Sequence, residues 1–385
     1  MASLDGFFTQ VDYVFFRTEH AEVHDFADGF RVYDVSGGNP GGPRWMRRVS
    51  LLAAGLREIA AIARSAKPHV IAVVDPFISG AIGWTLARIH RVPLVVNLVS
   101  DYQMTYRVSG QKGIPFLPAW VCFAVERFVL SRADLVTADC DYYRKYAIHR
   151  GTRPQAVGLI PRYVTDNFYA RENVDTQILT KLGIEDELPL VYVGRLSPEK
   201  YVLDLVDCLA VVCRDFPGRY LVIAGAGPLH REFRDRANSL GFGEQIKIVE
   251  GLSARGIQSL MTMAGVVLVT HGGYSLLEAC MSGAAIVAYD FEWHPEVVID
   301  GQTGCLVPYR DANAMASAAV RLLRDRDLAQ AMGERARALG MARYKKDDCI
   351  AEQVKLFRRL LHAPGNTETA TSDGQEIRTH GHDSV

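Results

Sequence analysis

The sequence predicts an α/β protein built from two doubly wound, parallel-sheet domains. Three observations carry that reading. Short apolar runs alternate with longer amphipathic segments along most of the chain. The runs are apolar at every position rather than at every second one, as in strands covered on both faces. The rhythm lapses once, in the polar stretch "PRYVTDNFYARENVDT" within 161–188, and then restarts. A length of 385 residues also suits two domains.

Near the N-terminus, "VDYVFFRTEH" (11–20) and "FRVYDVS" (30–36) read as strands. "HVIAVVD" (69–75) is a buried strand, followed by the helical "SGAIGWTLARIHR" and the strand "PLVVNLVSD" (93–101). "LPAWVCFAVERFVLSRA" reads as a helix and "DLVTAD" as a strand. After the lapse come five strand–helix alternations, with strands at "LPLVYVGR" (188–195), "RYLVIAGAGP", "IKIVEG", "VVLVTHGG" and "AAIVAYD". The expected layout is an N-terminal domain over 1–165, a second domain over 166–345, a closing helix over 346–362 and a disordered tail over 363–385. The tail is polar, rich in Gly, Thr and Ser, and without periodicity. Ligands in this architecture sit beyond the C-terminal ends of the strands. With two domains, that places the site in the cleft between them.

Composition narrows the function. The net charge of -1 argues against a dedicated nucleic-acid binder. The first 170 residues are mildly basic, with 19 Lys and Arg against 15 Asp and Glu. Seven scattered cysteines without a C-x-x-C pair fit a reducing cytoplasm. The start "MASLDGFFTQ" lacks a basic region followed by an apolar core, and no uninterrupted apolar run is long enough to span a bilayer. The longest greasy stretch, "GIPFLPAWVCFAVERFVL", is broken by Pro115, Pro118, Glu126 and Arg127. A buried helix is its expected use, with peripheral contact to a membrane surface as the alternative. The expected location is the cytoplasm, or the inner face of the membrane.

Three groupings in the second half carry chemistry, each at the C-terminal end of a strand. Arg195 and Lys200 in "VGRLSPEK" place two cations in one loop, a guanidinium fork and a point charge that suit a diphosphate. The glycines of "IAGAGP", Gly225 among them, mark a backbone that turns tightly near a ligand, although G-x-G-P is not the dinucleotide fingerprint. In "THGGYSLLEACMSG", Gly272 and Gly273 precede a helix whose free N–H groups and dipole favour an anion. Glu278 lies about one turn into that helix, expected to stay ionised and to accept hydrogen bonds from a diol such as a ribose.

Taken in order and spacing, "VGRLSPEK", "AGAGP", "SLLEACMSGAAIVAYD" and "PEVVIDGQTGCLV" resemble the donor-binding domain of family 4 glycosyltransferases, the retaining GT-B group. The resemblance covers about 188–308, extends to about 361, and reaches loosely back over 67–165. It implies that the anion is the diphosphate of a nucleotide sugar of UDP or GDP type, a co-substrate with no further cofactor and no metal. Arg195 and Lys200 would then stabilise the departing diphosphate, and Glu278 would bind the ribose. Gly272, Gly273, Tyr274 and Ser275 would present N–H groups to phosphate and sugar, and Leu252 would lie near the base. Glu296 in "HPEVV" either touches the site or pairs locally.

The chain departs from the family's pattern in three places. Of two glutamates eight positions apart, the second matches Glu278 and the first falls on Thr270. The next position is His271, which offers a donor or titrating group instead. The "HGGYS" turn also resembles inverting GT-B enzymes, with retention favoured here. The family's histidine after the strand "PLVVNLVSD" falls on Ser100, leaving Asp101 as a candidate that also suits capping the next segment. The expected first strand, Gly-rich loop and helix are not recognisable, and "GGNPGGPRW" comes too late to be that loop. Either the start is misassigned or the first βα unit is absent. The resemblance implies a hexosyltransferase acting on a hydroxyl of a glycan or lipid-linked acceptor, in polysaccharide or cell-envelope synthesis. The rival is a non-catalytic paralogue that binds nucleotide sugar and partners an active transferase. A GT-B-shaped epimerase and an NAD-dependent dehydrogenase fit less well, the latter for want of G-x-G-x-x-G after a first strand.

Overall fold

The computed structural model describes residues 7–16, 22–26, 29–35, 44–110, 114, 117–164, 168, 174–184 and 188–362. Among the sequence expectations, the glycine run at 36–43 and the tail at 363–385 lie outside the described residues. The chain opens with strands β1 (Val11–Phe16), β2 (Glu22–Phe26) and β3 (Phe30–Val35), which form a sheet of their own in the order β1-β3-β2. β1 and β3 are parallel, and β2 runs antiparallel to β3. This corrects the reading of two strands in one doubly wound sheet. β2 was not expected, because "EVHDF" has no apolar run. The link from β2 to β3 is too short for a crossover, and a short link dictates antiparallel pairing.

Next come α1 (Arg44–Ala66), β4 (Ile71–Val73), α2 (Ile78–His90), β5 (Leu94–Leu98), α3 (Tyr102–Ser109) and α4 (Ala119–Arg132). They are followed by β6 (Leu135–Ala138), α5 (Asp141–His149) and β7 (Val157–Leu159). β4 to β7 make a parallel sheet in sequence order. The greasy stretch does become a packed helix: α4 buries Cys122, Val129 and Leu130. It also buries Glu126, which takes hydrogen bonds from Tyr146 Oη and Arg150 Nε. A buried carboxylate paired this way is satisfied rather than catalytic.

The second half holds α6 (Ile178–Lys181), β8 (Leu190–Val193), α7 (Asp204–Asp215), β9 (Leu221–Ala224), α8 (His230–Ser239) and β10 (Ile246–Val249). It continues through α9 (Ala254–Thr262), β11 (Val266–Val269), α10 (Tyr274–Ser282), β12 (Ile286–Tyr289) and β13 (Cys305–Val307). The strands order as β10-β9-β8-β11-β12-β13, all parallel. The chain winds outward one way from β8 and the other way from β11. The seam between those two strands is the topological switch point, where doubly wound sheets hold ligands. The loops after β8 and β11, 194–200 and 270–273, therefore meet there.

Three helices close the chain: α11 (Ala312–Arg324), α12 (Arg326–Arg343) and α13 (Lys346–Leu361). Asp311 and Asp325 cap the first two by accepting the N–H of Ala314 and Leu328. α13 returns to the first half. Phe357 is buried with Val95 of β5 and Leu135 of β6, and Val354, Leu356 and Leu360 pack around them. Among the described residues no helix is long and apolar enough to cross a membrane.

Removing a buried aromatic side chain costs about 3–5 kcal/mol. Phe357→Ala is expected to lower stability by that order in urea denaturation, although the residue lies far along the chain from the sheet it covers. A loss under about 1 kcal/mol would show that α13 does not brace the first half.

Candidate functional site

Two loops at the switch point are laced together by three hydrogen bonds. The Lys200 ammonium donates to the His271 carbonyl at 3.1 Å. The Thr270 hydroxyl donates to the Lys200 carbonyl at 2.5 Å. The His271 ring meets the Glu199 carbonyl through Nδ1 at 2.6 Å. Thr270 is fully buried. At this position a hydroxyl can donate to the facing carbonyl, whereas a carboxylate would set two acceptors against each other. Burial and the Arg195 charge hold the Lys200 pKa below its ordinary value. Arg195 itself is 74% exposed and pairs with Glu199 at 3.1 Å.

The two histidines are fixed as neutral rings. His294, fully buried, bonds the Tyr289 carbonyl through Nδ1 at 2.8 Å, so Nδ1 carries the proton. Its Nε2 is then an acceptor, and takes the Gly272 N–H at 2.8 Å. Burial pushes the His294 pKa down to about 3. His271 is held in the same way, its Nδ1 proton committed to the Glu199 carbonyl, and burial with the Lys200 charge pushes its pKa down to about 4. Two expectations are corrected by this. His271 does not titrate near neutral pH and has no free N–H to donate. Gly272 does not offer its N–H to a phosphate, because His294 already holds it.

The rest of the α10 N-terminus is open. Gly273 stands at the N-cap and supplies no side-chain cap. The first-turn N–H groups of Tyr274 and Ser275 are the kind that a helix leaves unpaired. Glu278 has no hydrogen bond or ion pair among the described residues, and burial raises its pKa, opposing the helix dipole expected to keep it ionised. Tyr274 is 56% exposed, with the Arg162 guanidinium of the first half 5.4 Å from its ring centre.

The remaining sequence candidates fall in different places. Leu252 lines a depression of about 580 Å³ with Asp175, Lys181 and Arg255. The glycines of "AGAGP" allow close backbone packing between the loops after β8 and β9. A Cβ on Gly225 would meet the Gly194 carbonyl oxygen at 2.0 Å, and one on Gly227 the Leu196 oxygen at 2.3 Å. Asp101 caps α3 by accepting the Met104 N–H at 2.8 Å, and takes the Tyr142 hydroxyl at 3.0 Å. The capped helix packs against the turn that carries Lys200. The Ser100 hydroxyl is bonded to that of Thr105 at 2.9 Å. Glu296 reaches across the halves. Its carboxylate accepts the N–H groups of Asp141 and Tyr142 at 2.9 and 2.7 Å, capping α5 in place of Cys140, which makes no cap of its own. Among the described residues no group of three His, Cys, Asp or Glu is placed to hold a metal ion.

Sequence reading missed two groups that the fold brings here. Arg162, in the "PRYV" segment after β7, is ion-paired with Asp139 and donates to the Val99 carbonyl at 3.1 Å. Glu292, in "DFEWHPEVV", takes the Tyr143 hydroxyl at 2.8 Å and lies 3.9 Å from His271 Nε2. Burial first, and then the Asp101 charge, push its pKa up to about 7 against the pull of Tyr143, Lys200 and Arg162. The signal available was an acid beside a tryptophan just after a buried strand, which periodicity alone does not separate from a surface loop.

Comparison with known proteins fits this geometry. A model described as "Glycosyl transferase 4-like domain" matches residues 2–162, and one described as "Glycosyl transferases group 1" matches residues 175–339. The chain belongs to the family 4 glycosyltransferases. This family 4 member is 30% identical over 230 residues to the GDP-mannose-dependent alpha-(1-6)-phosphatidylinositol monomannoside mannosyltransferase of Mycolicibacterium smegmatis. That match covers 56% of this chain and 60% of the relative, so the chain spans about three fifths of that relative's length. It is 26% identical over 289 residues to the alpha-D-kanosaminyltransferase of Streptomyces kanamyceticus, covering 72% of this chain and 73% of that one. Among solved structures, sucrose-phosphate synthase from Thermosynechococcus elongatus matches with a TM-score of 0.76 at 21% identity, over 92% of this chain and 90% of that chain. Anabaena HepE in complex with UDP-glucose matches with a TM-score of 0.69 at 20% identity, over 85% of both chains. At those identities the likeness is one of fold, and the fold is GT-B.

The environment of Glu292 gives a pH prediction. Its carboxyl is raised from 4.5 to about 7 in the folded chain. Between those values the folded state holds a proton that the unfolded chain has lost, so this group's contribution to stability falls as pH rises through the window. Glu292→Gln removes that loss. The variant's melting temperature is expected to gain on the parent's between pH 5 and pH 8. A difference that stays constant across that range would contradict the raised pKa.

Proposed function

We propose that this family 4 glycosyltransferase moves a hexose-like sugar from a UDP- or GDP-type nucleotide sugar to a hydroxyl of a glycan or lipid-linked acceptor, with retention at the anomeric carbon. One observation carries the reading: the Lys200 ammonium is bonded to the His271 carbonyl just before the open N-terminus of α10, and Glu278, without a partner among the described residues, follows about one turn into that helix. Lys200 spends one of its three protons on the His271 carbonyl and has two left for phosphate oxygens. The Tyr274 and Ser275 N–H groups and exposed Arg195 complete an anion site. Glu278 accepts from the ribose diol.

In the reaction the anomeric C–O bond to the diphosphate breaks, the acceptor oxygen forms the new bond, and the acceptor proton leaves to a phosphate oxygen or to solvent. The diphosphate gains charge as it departs. Donors already in place stabilise that charge without reorganising, which is the main source of catalysis in this arrangement. The relatives named above include a GDP-mannose-dependent transferase, and a fold neighbour was solved with UDP-glucose. These support a nucleotide sugar and leave the choice of base to experiment.

A lipid-linked acceptor is supported by the exposed residues of α2 and α4. Trp120 of α4 is 74% and Ile89 of α2 67% exposed, and the same two helices carry the exposed Arg88, Arg127 and Arg132. The two helices pack through Trp84 and Phe128, 4.9 Å between ring centres, and the one acid in either helix, Glu126, is buried. An apolar and basic face of this kind suits an anionic bilayer surface.

Calorimetry with UDP, GDP, ADP and CMP tests the donor. Selective binding of one diphosphate is expected, and Lys200→Ala should weaken it by about 1.5–3 kcal/mol, the range for charged hydrogen bonds. Binding unchanged by that substitution would remove the diphosphate assignment. For the membrane face, flotation with phosphatidylserine-containing vesicles should recover the parent protein and lose Trp120→Ser. Equal flotation of both would speak against this face.

A further inference from the structure

We propose that Glu292 reads the sugar of the donor, with one carboxyl oxygen held across the cleft by Tyr143 and the other offered to a sugar hydroxyl. This rests on the nucleotide-sugar reading above and adds a specificity-determining residue to it.

Three observations place Glu292 there. First, its backbone has φ 47, a left-handed conformation that is a strain for a residue with a side chain. Strain of this kind persists where the surroundings impose it, and it collects at ligand sites. Second, the side chain is only 3% exposed, yet polar and charged groups from both halves surround it. It meets Tyr143 from the first half and His271 from the switch-point loop, and feels the charges of Lys200, Arg162 and Asp101. All five lie around the seam where Lys200 and the α10 N-terminus face the cleft. Third, only one of its oxygens is used. Oε2 takes the Tyr143 hydroxyl and faces His271, whereas Oε1 makes no hydrogen bond among the described residues and is not sealed from solvent.

The neighbours define what fits on Oε1. His271 turns an unprotonated Nε2 towards the carboxyl, so on that side Glu292 faces an acceptor. A ligand group placed there must donate, and it must be small and neutral enough to sit beside a carboxyl that is itself poorly solvated. A sugar hydroxyl meets both conditions, and a phosphate oxygen meets neither. The diphosphate side of the cleft, with Lys200 and the helix N–H groups, and the sugar side, with Glu292, are therefore chemically distinct.

The test compares each diphosphate with its sugar nucleotide, UDP with UDP-glucose and GDP with GDP-mannose, by calorimetry on the full chain. Glu292→Gln keeps the shape and still accepts from Tyr143, so a purely structural role is preserved. The expected result is diphosphate affinity within about twofold of the parent's, with sugar-nucleotide affinity about tenfold weaker, the effect of one lost charged hydrogen bond. Tyr143→Phe, which frees Oε2, should weaken sugar-nucleotide binding in the same sense. Equal affinity of Glu292→Gln and parent for the sugar nucleotide, with the diphosphate bound by both, would overturn the role of Glu292 alone. Binding of no nucleotide by the parent protein would overturn the donor reading and this inference together.

Discussion

The site depends on one short hydrogen bond between two loops. Thr270 gives its hydroxyl proton to the Lys200 carbonyl, and Lys200 gives one of its own to the neighbouring His271 carbonyl. This reciprocal pair pins the loop after β8 to the loop after β11 at the seam where the sheet's winding reverses. Without it, the ammonium would sample many positions on its long stem. With it, the charge stays at the start of α10. A buried hydroxyl facing a carbonyl is satisfied at little cost, and the same contact explains why an acid would be poorly placed at 270.

A second layer of constraint fixes protons rather than atoms. His294 and His271 each spend Nδ1 on a backbone carbonyl, leaving Nε2 as an acceptor. One of those acceptors holds the Gly272 N–H and so shapes the turn before the helix. The other faces a carboxyl from the loop after β12. Burial keeps both rings neutral, so the electrostatics of the seam are set by Lys200, Arg195, Arg162 and the acids around them.

Much of this was legible in the sequence, for identifiable reasons. The strands of the second half are uninterrupted apolar runs, and their order of appearance placed Arg195, Lys200 and Gly273 in the loops just after strands and Glu278 in the helix that follows one of them. Local chemistry served where a residue acts on its own loop or helix. It failed where a role is assigned by a distant partner. Glu296 was left between a site contact and a local pair, and its carboxylate takes a third role. It caps a helix of the other half, more than 150 positions away in the chain. Glu292 and Arg162 owe their places to the meeting of the halves, which no spacing rule encodes. The first sheet was misread because β2 is polar and gives no apolar signal.

The return of α13 bears on how the chain acquires its shape during synthesis. The patch formed by Val95 and Leu135 belongs to strands made early, and its cover, Phe357, lies in the last described helix. Domains commonly fold in order as they leave the ribosome. Here the first half emerges with an apolar face that has Phe7, Phe8 and Val70 beside it but lacks the cover of α13. It must wait, through the synthesis of the whole second half, for its final helix. The patch therefore stays uncovered until α13 has been made, and completion of the first half alone does not close it.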